Sequence, residues 1–201
     1  MKKGERRKQE LLKIAYQMFI EKGYENTSID EIIAEAGIAK GTYYYYFESK
    51  EATLEAVIDM MIEEEVGRAK EVLAASLPVP RKLVSVIYSL RPAQGEQVIV
   101  KALVAKENIV MHEKTNRRIV EEAVPLLTEV VREGISQGIF NCTNIEERVK
   151  MLLILSQHMF DDGNFTDRDV EVYVDMVEKT LGAKSGTMSF IAELISGGQN
   201  E

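Results

Sequence analysis

The chain has 201 residues, 45% of them hydrophobic and 29% charged, with 13 Gly, 4 Pro, no Trp and a single Cys, a composition that excludes collagenous, disordered and disulfide-built classes. At this length a core can bury roughly 70% of the unfolded surface without metal or cystine staples, and the lone Cys142 has no partner for an intramolecular disulfide. A formal charge of -8 excludes a protein that coats nucleic acid through a general basic excess, though not one with a local DNA-binding face.

The start, MKKGERRKQELLKIAY, is basic but interrupted by Glu5 and Glu10. No apolar stretch of signal-peptide length follows, and nowhere are there about 18 consecutive apolar residues. The expectation is a cytoplasmic protein with no membrane partner.

Apolar residues recur at helical spacing almost throughout, which predicts an all-α fold of about nine or ten helices. The first helix runs from about Glu5 to Lys22, with Leu11, Ile14, Ala15, Met18 and Phe19 on one stripe and Gly23 as its stop. A second starts at Ser28, which has capping-box spacing to Glu31, and ends near Ala36-Gly37. Ala39 to Tyr45 forms a third, about two turns long and dependent on docking. Ser49 caps a long fourth helix to about Ala75.

Leu77-Pro78-Val79-Pro80 breaks the pattern. A fifth helix is expected from Arg81 to about Leu90, a sixth from Gln94 to Asn108 and a seventh from His112 to Gln137, the last carrying Pro125. Thr143 and Glu146 repeat the capping-box spacing ahead of a helix to about Phe160. Asp161-Asp162-Gly163-Asn164 is a turn, Thr166 starts a helix to Leu181, and a short amphipathic piece spans Met188 to Ile195.

Most information lies in Ser28-Ile-Asp-Glu-Ile-Ile-Ala-Glu-Ala-Gly-Ile-Ala-Lys-Gly-Thr-Tyr-Tyr-Tyr-Tyr-Phe47. It reads as helix, tight glycine turn, helix, with Ile29, Ile32, Ile33 and Ile38 spaced to share a small core, which is helix-turn-helix geometry. A reading helix this short presents its first turns to the major groove. There Lys40, Thr42 and Tyr45 reach base edges, Gly41 lets the backbone come close, and Tyr44 and Lys50 are better placed for phosphates. Arg6, Arg7 and Lys8 either follow the DNA backbone into the adjacent minor groove or form a solvated tail.

This helix-turn-helix, followed by Tyr-Tyr-Phe-Glu-Ser-Lys-Glu, resembles the amino-terminal domain of the tetracycline-repressor (TetR) family over about the first 55 residues. The resemblance implies a DNA-binding domain over residues 1–48 and a larger helical ligand-binding and dimerisation domain over residues 49–201. It implies DNA contacts at Thr27, Ser28, Lys40, Gly41, Thr42, Tyr44, Tyr45 and Lys50, with Thr27 and Ser28 capping the second helix. Tyr43, Tyr46 and Phe47 fall on positions that pack inward. Two departures stand out: Tyr43, where the family often has Leu, so that a hydroxyl needs a partner or the surface, and Ala39, where a hydroxyl residue is common.

A single short reading helix binds weakly, so a dimer matching a palindromic operator is expected. The helices at about 144 to 160 and 167 to 181 carry apolar residues on more than one side, among them Met151, Leu152, Ile154, Val170, Val172 and Val177, more than one buried stripe needs, and the resemblance implies a four-helix bundle there, two helices from each subunit. In the family the larger domain encloses an inducer pocket. Met60, Met61, Tyr88, Leu103, Met111, His112, Leu127 and Phe160 supply methionine and aromatic material for a small, largely apolar effector, or pack as plain core.

No cofactor or metal is expected. His112 and His158 lack a two-histidine metal spacing, Cys142 has no CxxC partner, and Asp161, Asp162, Asn164, Asp167 and Asp169 do not match a calcium loop. Glu63, Glu64 and Glu65 read as a solvated helix face. The sequence therefore predicts a ligand-responsive regulator, a repressor, that binds its operator as a homodimer. A small-molecule enzyme lacks a nucleophile-base pair, a phosphate-cradling loop and paired carboxylates, so no catalytic residue is assigned. A helical adaptor acting through protein partners leaves Lys40, Tyr44 and Lys50 without a reason.

Overall fold

The computed structural model describes residues 3–160 and 164–197. Among them are ten α-helices, one short 3-10 helix and no strand, so the all-α expectation holds. The expected turn at Asp161-Asp162-Gly163 lies outside the described residues. The chain groups into two compact units, one made of residues 1–64 and 92–115 and the other of residues 65–91 and 116–201.

In the first unit, α1 (Lys3–Lys22) buries Leu11, Leu12, Ala15, Met18 and Phe19; of the stripe its periodicity predicts, Ile14 is only half-buried, and Leu12 joins the core instead. The Gly23 amide closes it on the Phe19 carbonyl at 3.0 Å. The residues Arg6, Arg7 and Lys8 thus sit in the first turns of a helix rather than in an extended arm.

Next comes α2 (Ile29–Ala36), entered through a complete capping box. The Glu31 amide donates to Ser28 Oγ at 3.2 Å, and the Ser28 amide donates to Glu31 Oε2 at 2.8 Å. The Ser28 amide first, and then the Lys22 ammonium, hold the Glu31 carboxyl down at about 2. A carboxylate whose pKa is depressed on folding adds stability above its unfolded value and loses it as pH falls through the folded one. The first unit is therefore expected to lose stability between about pH 4.5 and pH 2, and denaturant titrations of Glu31→Gln should show a flatter pH dependence there than the parent chain. Gly37, at φ +59, is the left-handed C-cap of α2, the conformation a glycine adopts without strain.

The third helix, α3 (Lys40–Tyr46), has no side-chain cap at Ala39. Then Ser49 Oγ accepts the Ala52 amide at 3.1 Å at the head of α4 (Lys50–Ala74). In this helix Glu63 and Glu64 are exposed, but Glu65 is buried. Its place one turn from Met61 and one turn from Ala69, both buried, puts it on the apolar stripe instead of the solvated face that the run of three glutamates suggests.

The expected helix from Gln94 to Asn108 is broken into α6 (Gln97–Leu103) and a 3-10 turn at Lys106–Asn108. The buried Asn108 side chain donates to the Ala102 carbonyl at 2.8 Å, alongside the Ala105 amide, which donates to the same oxygen at 3.4 Å. Ahead of α6, the buried Glu96 accepts from Tyr16 Oη at 2.8 Å and from the Ala93 amide, tying this segment to α1.

The second unit contains α5 (Val79–Ser89), which starts two residues before the expected Arg81 because Pro80 fits a first turn where no amide is needed. It also holds most of α7 (Ile109–Ser136), with Pro125 inside it, α8 (Ile145–Phe160), α9 (Asp167–Leu181) and α10 (Phe190–Gly197). Asn144, at φ +50, directly precedes α8, one residue beyond the expected cap at Thr143. For α9 the cap is Thr166, in a capping box with Asp169.

Val79, Leu83, Val86, Leu127, Val130, Phe140, Tyr173, Val177 and Met188 are buried in one cluster. Lys82 is buried in the same unit and pairs with Glu133 at 2.8 Å. The buried Glu178 accepts the amides of Gly186 at 3.1 Å and Met188 at 2.8 Å, fixing the turn into α10.

Candidate nucleic-acid interface

Two opposite faces define α3. Tyr43 is fully buried and Phe47, just past the helix end, nearly so. The Tyr43 hydroxyl pairs with Thr53 Oγ1 at 2.5 Å, and Thr53 donates to the Ser49 carbonyl at 3.1 Å. A tyrosine here is thus paid for by a threonine one turn into α4, and burial pushes its phenol up. These contacts hold a helix of seven residues, too short to persist alone.

The other face is open. Lys40, Gly41, Tyr44 and Tyr45 are exposed, Tyr45 by 81%, while Thr42 is half-buried between the faces. A phenol ring left this bare by a protein that buries Tyr43 is large apolar area available to a partner. Tyr46 is half-buried, its ring edge-to-face with Tyr45 at 5.0 Å. Lys40 Nζ lies 3.1 Å from Asp30 Oδ1 with both groups exposed, and that hydrogen bond and charge raise its pKa. A Cβ added at Gly41 would meet nothing within 4 Å. Nothing in the free chain therefore requires glycine at that position.

Lys50 lies at the head of α4, its ammonium 4.2 Å from the centre of the Tyr24 ring and donating to the Glu25 carbonyl at 3.3 Å. The ring and the carbonyl hold the charge in one place while leaving it partly exposed. Ser28 is exposed and caps α2 by itself. Thr27, expected as a second cap and phosphate donor, is buried. Its hydroxyl donates to the Gly23 carbonyl at 2.9 Å and its amide to the Tyr24 carbonyl at 3.2 Å, so both donors shape the turn between α1 and α2.

Sequence reasoning missed Asp30 as the partner of Lys40 and Thr53 as the partner of Tyr43. The first pair is 10 residues apart and joins α2 to α3. The second is also 10 residues apart and joins α3 to α4, and neither follows a single-helix spacing.

The eight residues proposed for an effector pocket are divided between the two units. Met60, Met61, Leu103, Met111 and His112 belong to the first, and Tyr88, Leu127 and Phe160 to the second. Met61, Leu103 and Leu127 are buried and Met60, Met111, His112 and Phe160 half-buried, whereas Tyr88 is 60% exposed. Leu127 and Phe160 share one hydrophobic cluster, in which the Phe160 ring meets that of Tyr173 at 5.3 Å. Among the described residues, no group of three or more His, Cys, Asp or Glu side chains is arranged to hold a metal ion, and no helix is long and apolar enough to cross a membrane.

Comparison with known proteins bears on the same segment. Residues 11–57 match the family model described as bacterial regulatory proteins, tetR family. The HTH-type transcriptional repressor KstR2 of Rhodococcus jostii (strain RHA1) is 29% identical over 136 residues, 64% of this chain and 67% of that protein. The fatty acid metabolism regulator protein of Bacillus subtilis (strain 168) is 27% identical over 142 residues, 69% of this chain and 73% of that protein. Among solved structures, RolR in complex with resorcinol has a TM-score of 0.61 at 19% identity, covering 96% of this chain and 95% of that one. That likeness is one of fold.

Proposed function

Because the chain belongs to the tetR family of bacterial regulatory proteins and so is a transcriptional regulator whose family implies DNA binding, we propose that it is a homodimeric repressor of a palindromic operator, released by a small, largely apolar organic effector. In this reading residues 1–48 bind DNA, residues 49–201 dimerise and bind the effector, and the protein works in the cytoplasm.

The observation that carries the reading is the two-faced α3, anchored by Tyr43 and Phe47 and bare at Lys40, Gly41, Tyr44 and Tyr45. Lys40, Thr42 and Tyr45 meet base edges in the major groove, and Gly41 lets the backbone approach. Ser28, Tyr44 and Lys50 meet phosphates. Thr27 supports them from inside the fold by shaping the turn that ends at Ser28.

Self-association is supported by α8 and α9, which pack on each other and bury Leu152, Val170, Tyr173 and Val177 while leaving Met151, Ile154 and Val172 exposed by 69%, 49% and 59%. Such residues on two packed helices are what a second copy covers in an isologous interface. Release follows if the effector binds the conformation with low DNA affinity more tightly than the DNA-binding one, since equal affinity shifts nothing. The apolar chemistry of Leu127 and Phe160, which share one cluster of the second unit, supports an apolar effector.

Selection of genomic fragments by the purified protein, followed by footprinting and a salt titration, tests the whole. Protection of a palindrome with a steep salt slope is expected, and no preference above non-specific binding in folded, dimeric protein would favour an adaptor. Lys50→Ala should weaken binding about equally on all duplexes and shrink the salt slope by about one unit per half-site. An unchanged slope would remove Lys50 from the phosphate contacts.

A further inference from the structure

Beside the reading helix lies a groove of about 430 Å³ lined by Gly4, Arg6, Arg7, Glu10 and Tyr46. Four of these residues come from the first two turns of α1 and the fifth from the last position of α3. We propose that this groove binds a phosphate of the DNA strand flanking the major-groove contact, with Arg6 and Arg7 as its ligands and Glu10 as a built-in counter-ion that the phosphate displaces. The inference rests on the DNA-binding reading and adds to it a second, separate contact and a residue that opposes binding.

Three observations carry it. First, the groove adjoins α3 directly: a Cβ at Gly4 would come within 3.9 Å of Tyr46 Oη, Lys8 Nζ lies 5.8 Å from the centre of the Phe47 ring, and Tyr46 stacks edge-on against Tyr45. A duplex that meets Tyr45 therefore runs its backbone past this end of α3. Second, both arginines converge on one carboxylate, Arg7 Nη1 at 3.1 Å from Glu10 Oε2 and Arg6 Nε at 3.6 Å from Glu10 Oε1. A site that holds one oxyanion between two guanidinium groups already has the geometry for another, and arginine forks suit phosphate as well as carboxylate.

Third, the exchange is cheap. Arg6, Arg7 and Glu10 side chains are 69%, 46% and 48% exposed, so their mutual attraction is screened by water and contributes little to folding. A polyanion carrying many phosphates outcompetes it, whereas the single solvated carboxylate offsets only one of the two guanidinium charges between encounters.

The test uses the full chain, the duplex it selects from genomic fragments and an unrelated duplex of equal length, with fluorescence anisotropy over a range of salt concentrations. Glu10→Gln keeps the side-chain shape and removes the charge, and is expected to tighten binding about fivefold on both duplexes. Arg6→Ala/Arg7→Ala is expected to weaken binding on both and, because one phosphate is lost, to shrink the salt slope by about one unit per protomer. If Glu10→Gln leaves affinity unchanged or lowers it, the counter-ion role is overturned. An unchanged slope in the double arginine variant, with Lys50→Ala still reducing it, removes the groove from the interface and leaves the regulator reading standing. If the parent chain binds neither duplex, that reading fails and this inference fails with it. Circular dichroism of each variant ties every outcome to folded protein.

Discussion

Replacing Gly182 with alanine is expected to destabilise the unit that contains α8 and α9 by about 3 kcal/mol or more, from two separate causes. Gly182 ends α9 at φ +65, a conformation that costs a side-chain-bearing residue of order 1 kcal/mol or more. The added Cβ would also lie 2.1 Å from the carbonyl oxygen of Asn141 and 2.8 Å from its carbonyl carbon. That backbone has no easy retreat, since the Asn141 amide is itself bonded to the Leu181 carbonyl at 2.9 Å. Relief of the clash must break this bond or shift the end of α9, at a cost comparable with overpacking a core.

Gly138 separates the two causes. It has φ +72 and nothing within 4 Å of an added Cβ, so Gly138→Ala should cost only the conformational part, about 1 kcal/mol. Urea denaturation should show the midpoint of Gly182→Ala falling well below that of Gly138→Ala at a similar slope. Equal midpoints would mean that the approach of Asn141 contributes nothing. Against a total stability of about 5–15 kcal/mol, the loss at Gly182 is a substantial share.

The Gly182 contact also shows what one-dimensional reading does not reach. Ser28 with Glu31, Thr166 as the start of α9, and Gly37 as a C-cap were legible because each satisfies backbone groups within four residues of itself. The helix-turn-helix was legible for the same reason, its turn and caps being local. By contrast, the break after Leu103 depends on the Asn108 side chain folding back onto Ala102, and Asn belongs to the residues whose side chains compete for backbone partners without a fixed offset.

Residues 92–115 join the first compact unit in part through Tyr16 and Glu96, which are 80 positions apart. No periodicity encodes that pairing. Thr27 follows the same rule: its type suited a cap, but its hydroxyl is buried against the Gly23 carbonyl and its amide against that of Tyr24, and Ser28 alone accepts the helix amide. The exposed residues of α3 needed less, since burying Tyr43 and Phe47 leaves Lys40, Gly41, Tyr44 and Tyr45 outward by helical spacing alone.

Stability and DNA affinity should move in opposite directions when Gly41 becomes alanine. Glycine in a helix costs roughly 0.5–1 kcal/mol relative to alanine, because it loses more conformational freedom on folding. At Gly41 the methyl group meets nothing within 4 Å and the position is exposed, so the free protein gains up to about that amount. A residue that weakens a helix of seven residues without relieving any internal contact answers to a surface that is absent from the free chain. In the regulator reading that surface is the floor of the major groove, where a methyl group beside Lys40 and Thr42 would hold the backbone away from the base edges.

One disrupted base contact costs about 1–3 kcal/mol, so affinity for the selected operator should drop roughly tenfold to a hundredfold. Affinity for unrelated duplexes, dominated by phosphate contacts, should change far less. Thermal denaturation and operator binding measured on the same Gly41→Ala preparation decide the matter. A raised melting temperature with weakened, less selective binding would put the amino-terminal turn of α3 against DNA. A raised melting temperature with unaltered operator affinity would mean that Gly41 stands clear of the groove, and that Tyr45, one turn further along, carries the base readout.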